Sequence, residues 1–205
     1  LTLDGTAAQT VSAAITASAQ GLGNITVSNT VGVTFDGLIG VAGTETGTLT
    51  IGAAGKATLN KATNVGDIVL VDNAATTLIV NAAVGIDATG GGAGAIDLGD
   101  GSIIKVGNGF ASGANVILAE GVITDTSGHT ITIHMPSDLN DGENLIVVQG
   151  ASGMDATYTP VDTALYDYTA AVVATKVTVT AAKKTAAATA ASLGITESAA
   201  KGLFS

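Results

Sequence analysis

The sequence contains no cysteine, no tryptophan and no arginine, only two prolines, and only six aromatic residues among 205. Each scarcity excludes something. Without cysteine there is no disulfide framework, no thiolate metal site and no cysteine nucleophile. The only cations are seven lysines (56, 61, 105, 176, 183, 184 and 201), set against 17 acidic residues for a net charge of -10. Phosphate binding needs clustered cations, so nucleic acid is a poor partner. No apolar run reaches the roughly 18 to 20 residues of a membrane helix, so this segment is not expected to insert into a membrane. The opening Leu1-Thr2-Leu3 has neither the basic start nor the long apolar stretch of a signal peptide, so a secreted form is expected to be a processed or excised piece. The low charge and mean hydropathy of +0.50 argue against disorder. A compact globule of this length ordinarily fills its core with some large rings. A narrow core of stacked Ala, Val, Ile and Leu does not need them.

What is abundant is glycine, at 28 residues, and a recurring short pattern of apolar, x, apolar followed by small or acidic turn residues. It begins at Leu1, Ile25, Leu49, Ile68, Ile96 and Val116, with looser copies from Leu145 and Val177, at intervals of 24, 24, 19, 28, 20, 29 and 32 residues. A second motif keeps step with it. Val11-Ser12, Phe35-Asp36, Leu59-Asn60, Val80-Asn81 and Val106-Gly107 follow the first at offsets of 10, 10, 10, 12 and 10. Two motifs locked at one spacing signal a periodic architecture.

Alternation places Leu1/Leu3, Ile25/Val27, Leu49/Ile51, Ile96/Leu98 and Val116/Leu118 on one strand face, with Thr2, Thr26, Thr50 and Asp97 on the other. The expected fold is all-β, a parallel β-solenoid whose coils each hold two or three short strands and rise about 4.8 Å per coil. Asp36, Asn60 and Asn81 are expected to stack at one corner, where Asx residues tolerate left-handed backbone. The glycine-rich stretch within Val84–Ala95 and the excursion from Glu120 to His129 read as loops, and loops at 86–95 and 119–130 are the expected ligand contacts.

After about Leu145 the pattern changes. Strand-like segments at 145–148, 156–159, 165–168 and 177–180 carry all three tyrosines and suggest a cap over the open end. Ala181 to Ser192 reads as helical with Gly194 as its C-cap, and a second helical piece is expected from Glu197 to Leu203. The expected units are solenoid repeats of about 24 residues over 1–144, a C-terminal β cap over 145–180 and an Ala-rich helical tail over 181–205.

The repeats, and above all the order of pieces near the C-terminus, resemble the passengers of bacterial autotransporters (type V secretion). The pieces are Gly142-Glu143-Asn144-Leu145-Ile146-Val147-Val148-Gln149-Gly150, Tyr166-Asp167-Tyr168, Val177-Thr178-Val179-Thr180-Ala181-Ala182-Lys183-Lys184, the Ala-rich segment and Leu193-Gly194-Ile195-Thr196. The resemblance implies a right-handed parallel β-helix on the bacterial cell surface, with residues 145–180 as an autochaperone-like module. The family's membrane barrel, built of many strands of about 10 residues, is not among these 205 residues.

Candidate chemistry is sparse. His129 and His134 are read on opposite faces of one strand, with no third ligand nearby. Gly91-Gly92-Ala93-Gly94-Ala95-Ile96-Asp97 comes close to a calcium-binding GGxGxD repeat, but its Asp is one place late and the motif is not in tandem. Asp97 and Asp100 leave room for weak calcium binding, and no cofactor is expected. Asp138-Leu139-Asn140-Asp141-Gly142-Glu143 reads as a solvated turn rather than a paired-carboxylate glycosidase site. The three-residue Thr ladder is short for an ice-binding face. No residue is assigned as catalytic, cofactor-binding or metal-ligating, and the chain is expected not to be an enzyme. The leading expectation is an extracellular stalk or adhesin whose partner is a host-surface or glycan ligand, or neighbouring copies of itself. The alternatives are a filament or surface-layer subunit stacking end to end, and a β-helical polysaccharide-processing enzyme.

Overall fold

A run of small β-branched residues between turn residues favours strands, because such side chains fill a pleated, half-buried surface well. The computed structural model of the chain, which describes residues 1–86, 94–125 and 127–204, is accordingly 47% strand with few helices. The strands form two sheets, of 12 and of 7, and most pairings are parallel.

The seven-stranded sheet is built from β2 (Gln9–Val11), β4 (Val33–Phe35), β6 (Lys56–Leu59), β8 (Thr77–Val80), β11 (Ile103–Val106), β14 (Thr130–His134) and β17 (Thr157–Val161). Neighbours follow in chain order and are all parallel. Between any two of them the chain visits the other sheet. There lie β1 (Thr2–Leu3), β3 (Ile25–Val27), β5 (Thr46–Ile51), β7 (Thr63–Leu70), β9 (Val84–Ile86), β10 (Ile96–Leu98), β12 (Asn115–Ala119), β13 (Val122–Asp125), β15 (Asn144–Gln149) and β16 (Ser152–Met154). β7 is where this sheet divides. Its Thr63–Val65 half pairs with β9 and its Ile68–Leu70 half with β10, and the two halves continue as β12 and β13.

Register turns the repeat into a core. Ile25, Leu49, Ile68, Ile96 and Ile123 are successive partners, as are Val11, Phe35, Leu59, Val80 and Val106. Every member except Val11 is buried, in one continuous cluster in which Phe35 is the largest fully buried side chain among the described residues. Each such aliphatic side chain contributes about 1.5–3 kcal/mol on burial. The first repeat is thinner: Leu3 is half-buried and Leu1 is 58% exposed.

Two expectations change here. Ile123, not Val116, lies in register with Ile96. Val116 belongs to β12, on the branch that runs from β9, and there Val116 and Ile117 are both buried while Leu118 points out. The excursion expected as a loop from Glu120 to His129 contains β13, so the predicted contact segment 119–130 is a strand flanked by short turns rather than one loop. Of the other predicted loop, residues 87–93 lie outside the described residues.

The parallel pattern ends at an antiparallel hairpin. β18 (Tyr166–Val173) and β19 (Lys176–Lys183) pair with each other, and β19 pairs antiparallel with β15. Because β19 extends to Lys183, the Ala-rich helix starts later than expected, as α1 (Ala186–Leu193). The Thr185 hydroxyl caps it by accepting from the Ala188 N–H, and Gly194, at φ 67°, closes it with an N–H donated to the Ala190 carbonyl. A second helix, α2 (Glu197–Lys201), and a 3₁₀ turn at Gly202–Phe204 follow, and the Phe204 ring sits 4.4 Å under the Lys183 ammonium.

Leu59→Ala is expected to cost about 2–5 kcal/mol in urea unfolding, because both stacked neighbours lose contact. Thr58→Ala, one residue away on the outward face, is expected to stay within about 0.5 kcal/mol.

Candidate functional site

The polar residues most clearly organised by the fold are those at the turns, where one repeat grips the next. Asp36, Asn60 and Asn81 stack as expected. The Asn60 amide donates to Asp36 Oδ1 at 2.6 Å, and the Asn81 amide donates to Asn60 Oδ1 at 2.6 Å. The ladder then meets Gly107, where an added Cβ would come within 1.9 Å of Asn81 Oδ1. The small residue at that place in the repeat is thus set by the asparagine before it.

The carboxylates do related work. Asp67 accepts the Ala95 N–H at 3.0 Å, Asp72 the Asp100 N–H at 2.9 Å, and Asp100 in turn the Thr130 N–H at 2.8 Å. Asp138 takes the Gly109 N–H and Asp141 the Lys183 N–H, both at 2.8 Å. Glu143 accepts both the backbone and side-chain N–H of Asn140. The dense acidic segment 138–143 therefore serves as a set of backbone caps. Hydrogen bonds to ionised acceptors are roughly twice as strong as neutral ones.

Among the described residues two carboxylates are buried. Glu45 is buried and accepts from the Gln20 amide at 2.7 Å and from the Gly43 N–H. Asp125, 5% exposed, accepts the Asp155 N–H at 2.6 Å and the Tyr158 hydroxyl. Burial and the bond to Asp125 push the Tyr158 phenol far above its usual range. A repeat that runs through Val116 leaves Asp125 in a loop and gives it no role. Aligning Ile96 with Ile123 puts Asp125 two residues on, in the inward line of Leu98.

The remaining candidates disperse. Thr2, Thr26 and Thr50 form an outward ladder, continued by Val69, Asp97 and Thr124. Partial burial raises the Asp97 carboxyl, Asp72 raises it further, and His129 opposes them. His129 precedes β14 and faces the Leu98 carbonyl at 3.4 Å, whereas His134 ends β14 and pairs with Lys105 and Val161. Among the described residues no group of three or more His, Asp or Glu converges as a metal site. At the hairpin, Tyr166 and Tyr168 stack with centroids 6.3 Å apart, beside a cleft of about 220 Å³ lined also by Ser137, Thr163, Ala164 and Leu165. That is below the roughly 300 Å³ at which small-molecule pockets begin.

A second outward ladder escaped the sequence reading: Thr10, Thr34, Thr58, Ile79, Lys105 and His134. It belongs to a sheet whose seven strands contain no Asp or Glu, in a chain with 17. Its signal in the sequence is the threonine that follows each of Gln9, Val33 and Ala57. Comparison with protein-family models, with curated proteins and with solved structures finds no match for this chain.

Asp125→Ala is expected to destabilise the fold by about 1–3 kcal/mol, since it orphans a buried hydroxyl and removes the acceptor of a partly buried N–H. Asp125→Asn, which can accept from Asp155 and donate to Tyr158, is expected to recover most of that loss in the same denaturation assay. His134 is expected to titrate by NMR below 6.5, because partial burial first and Lys105 second disfavour its charge. The folded chain then binds this proton less readily than the unfolded chain, so protonation below pH 6.5 weighs against the fold and its contribution is unaffected above that pH. Lys105→Met is expected to bring the midpoint part of the way back to 6.5, and an unchanged midpoint would remove Lys105 as a cause.

Proposed function

We propose that the chain is a right-handed parallel β-solenoid serving as a non-enzymatic stalk or adhesin on a bacterial surface, as autotransporter passengers do. The observation that carries this reading is the in-register parallel stacking of repeats, which builds length rather than a concave pocket. The roles of the acidic groups support it. Asp67, Asp72, Asp100, Asp138 and Asp141 are each held by a backbone N–H, most of them about one repeat away. The reading requires no cofactor.

Its contact face is the outward side of the seven-stranded sheet. Thr10, Thr34, Thr58 and Ile79 present hydroxyls and an aliphatic side chain at one strand spacing, followed by Lys105 and His134. On a chain of charge -10, these carboxylate-free strands are the side on which an acidic or hydroxyl-rich glycan meets least repulsion.

Two measurements test this. Brief protease treatment of intact source cells should release peptides from this chain, and release only after lysis would contradict surface display. On a glycan panel, Thr58→Glu combined with Ile79→Glu should reduce binding at least tenfold with no change in the far-ultraviolet circular dichroism. Turnover of any glycan, or binding indifferent to the double substitution, would overturn the reading or its contact face.

A further inference from the structure

A sheet that ends in solvent leaves a row of unpaired backbone groups, and proteins ordinarily blunt such ends. Five strands end the sheets: β1 and β2, of two and three residues, at one end, and β17, β16 and β18 at the other. β17 carries Pro160, which has no N–H to offer. β16 is three residues long and contains Gly153 at φ 85°. β18 is eight residues long and has neither device.

The direction of its backbone groups follows from the bonds it makes. The Tyr168 N–H donates to Asp162 Oδ1 at 2.8 Å, and the Tyr166 carbonyl accepts the Thr163 N–H at 2.9 Å. Neither bond goes to β19, so the even-numbered residues of β18 face away from the hairpin. The loop at Asp162–Thr163 therefore covers the first half of the edge. Alternation carries the same outward direction to Ala170 and Val172, and among the described residues no strand pairs with that side. Beside these groups Val172 and Val173 are 44% and 64% exposed.

The open half is complementary to itself. Residues 168–175 carry no charge, with Asp167 at one end and Lys176 at the other. Parallel pairing of two copies would set Asp167 beside Asp167. Antiparallel pairing sets the acidic end of each copy toward the basic end of the other, and it brings no like charges together in a chain otherwise strongly acidic. A two-fold axis through Ala171 places Ala170 opposite Val172 of the second copy. Those residues then exchange both N–H and C=O on each side of the axis, four hydrogen bonds in all, with each exposed Val172 set against Ala170 of the second copy.

We propose that two copies of this chain join through β18, antiparallel about Ala171, into one sheet continuous across the pair. This surface is separate from the outward face of the seven-stranded sheet, so dimer formation and glycan binding can fail independently. It is also distinct from end-to-end stacking, because an isologous pair closes and does not grow.

Because the chain lacks cysteine, a single introduced thiol reports the pairing without interference. Ala171 meets its own copy as a non-hydrogen-bonded pair, with Cβ atoms about 4.5–5.5 Å apart, close to the separation a disulfide spans. Sedimentation equilibrium of the 205-residue chain should show a concentration-dependent shift from 19.8 kDa to twice that mass. Ala171→Cys should oxidise to a disulfide dimer at least tenfold faster than Val161→Cys on the β17 edge. Val172→Lys, at an exposed position, should weaken the dimer at least tenfold while leaving the circular dichroism unchanged. A monomer throughout the soluble range, equal oxidation of the two cysteine variants, or a dimer indifferent to Val172→Lys would each overturn the proposal.

Discussion

The constraint on which the structure rests is the register between one repeat and the next. A parallel strand pair cannot be closed by a tight turn, so the chain must travel before it returns beside itself. Here that travel is through the other sheet, and the return is in step. Once Ile25, Leu49 and Ile68 are partners, the side chains two residues along are partners as well, and so are the turns. A slip of one residue would reverse every side chain and put the aliphatic ladder in water. The shortage of aromatic residues follows from this. A core filled by identical positions stacked at strand spacing needs side chains that repeat well, and Ile, Leu and Val do so.

The same register explains how an acidic chain with few cations holds together. Surface ion pairs contribute little, typically about 0–1 kcal/mol, and the two found among the described residues, Lys184–Asp167 and Lys201–Glu197, both lie at the C-terminal end. Over the repeats the carboxylates instead cap backbone N–H groups of neighbouring turns. A turn must leave some N–H groups without strand partners, and a short acidic side chain one repeat away reaches them. Several of the acidic residues behind the net charge are thus occupied in holding turns.

Much of this was legible in the amino-acid sequence, for a physical reason. Where the period stays near 24 residues, equivalent positions can be matched by counting, and the ladder Val11–Phe35–Leu59–Val80–Val106 and the corner Asp36–Asn60–Asn81 both came out that way. Counting fails where the sheet divides. β7 feeds two strands, β9 and β10, and after it an apolar triplet can belong to either branch. Counting puts Val116-Ile117-Leu118 on the β10 branch, whereas it belongs to the β9 branch, and the true partner of β10 is β13, which carries Asp125 into the core. The late start of α1 has a different cause. Ala181, Ala182 and Lys183 favour helix by themselves, but pairing with β18 holds them as strand.

Function divides along the same line. The turns and inner faces are occupied with holding one repeat to the next, so contact with another molecule is left to outward faces and open edges, among them the two proposed above. Both depend on the repeats being stacked in register. The most direct measurement is electron–electron distance spectroscopy on pairs of spin labels, with one label at Thr10→Cys and the second at Lys105→Cys, His134→Cys or Val161→Cys. These positions are four, five and six register steps from Thr10 in one ladder. At about 4.8 Å per step, the backbone separations are roughly 19, 24 and 29 Å. Label distances that lengthen by about 5 Å from each pair to the next are the predicted result. Distances that fail to rise in that order would contradict the stacking on which the whole account stands.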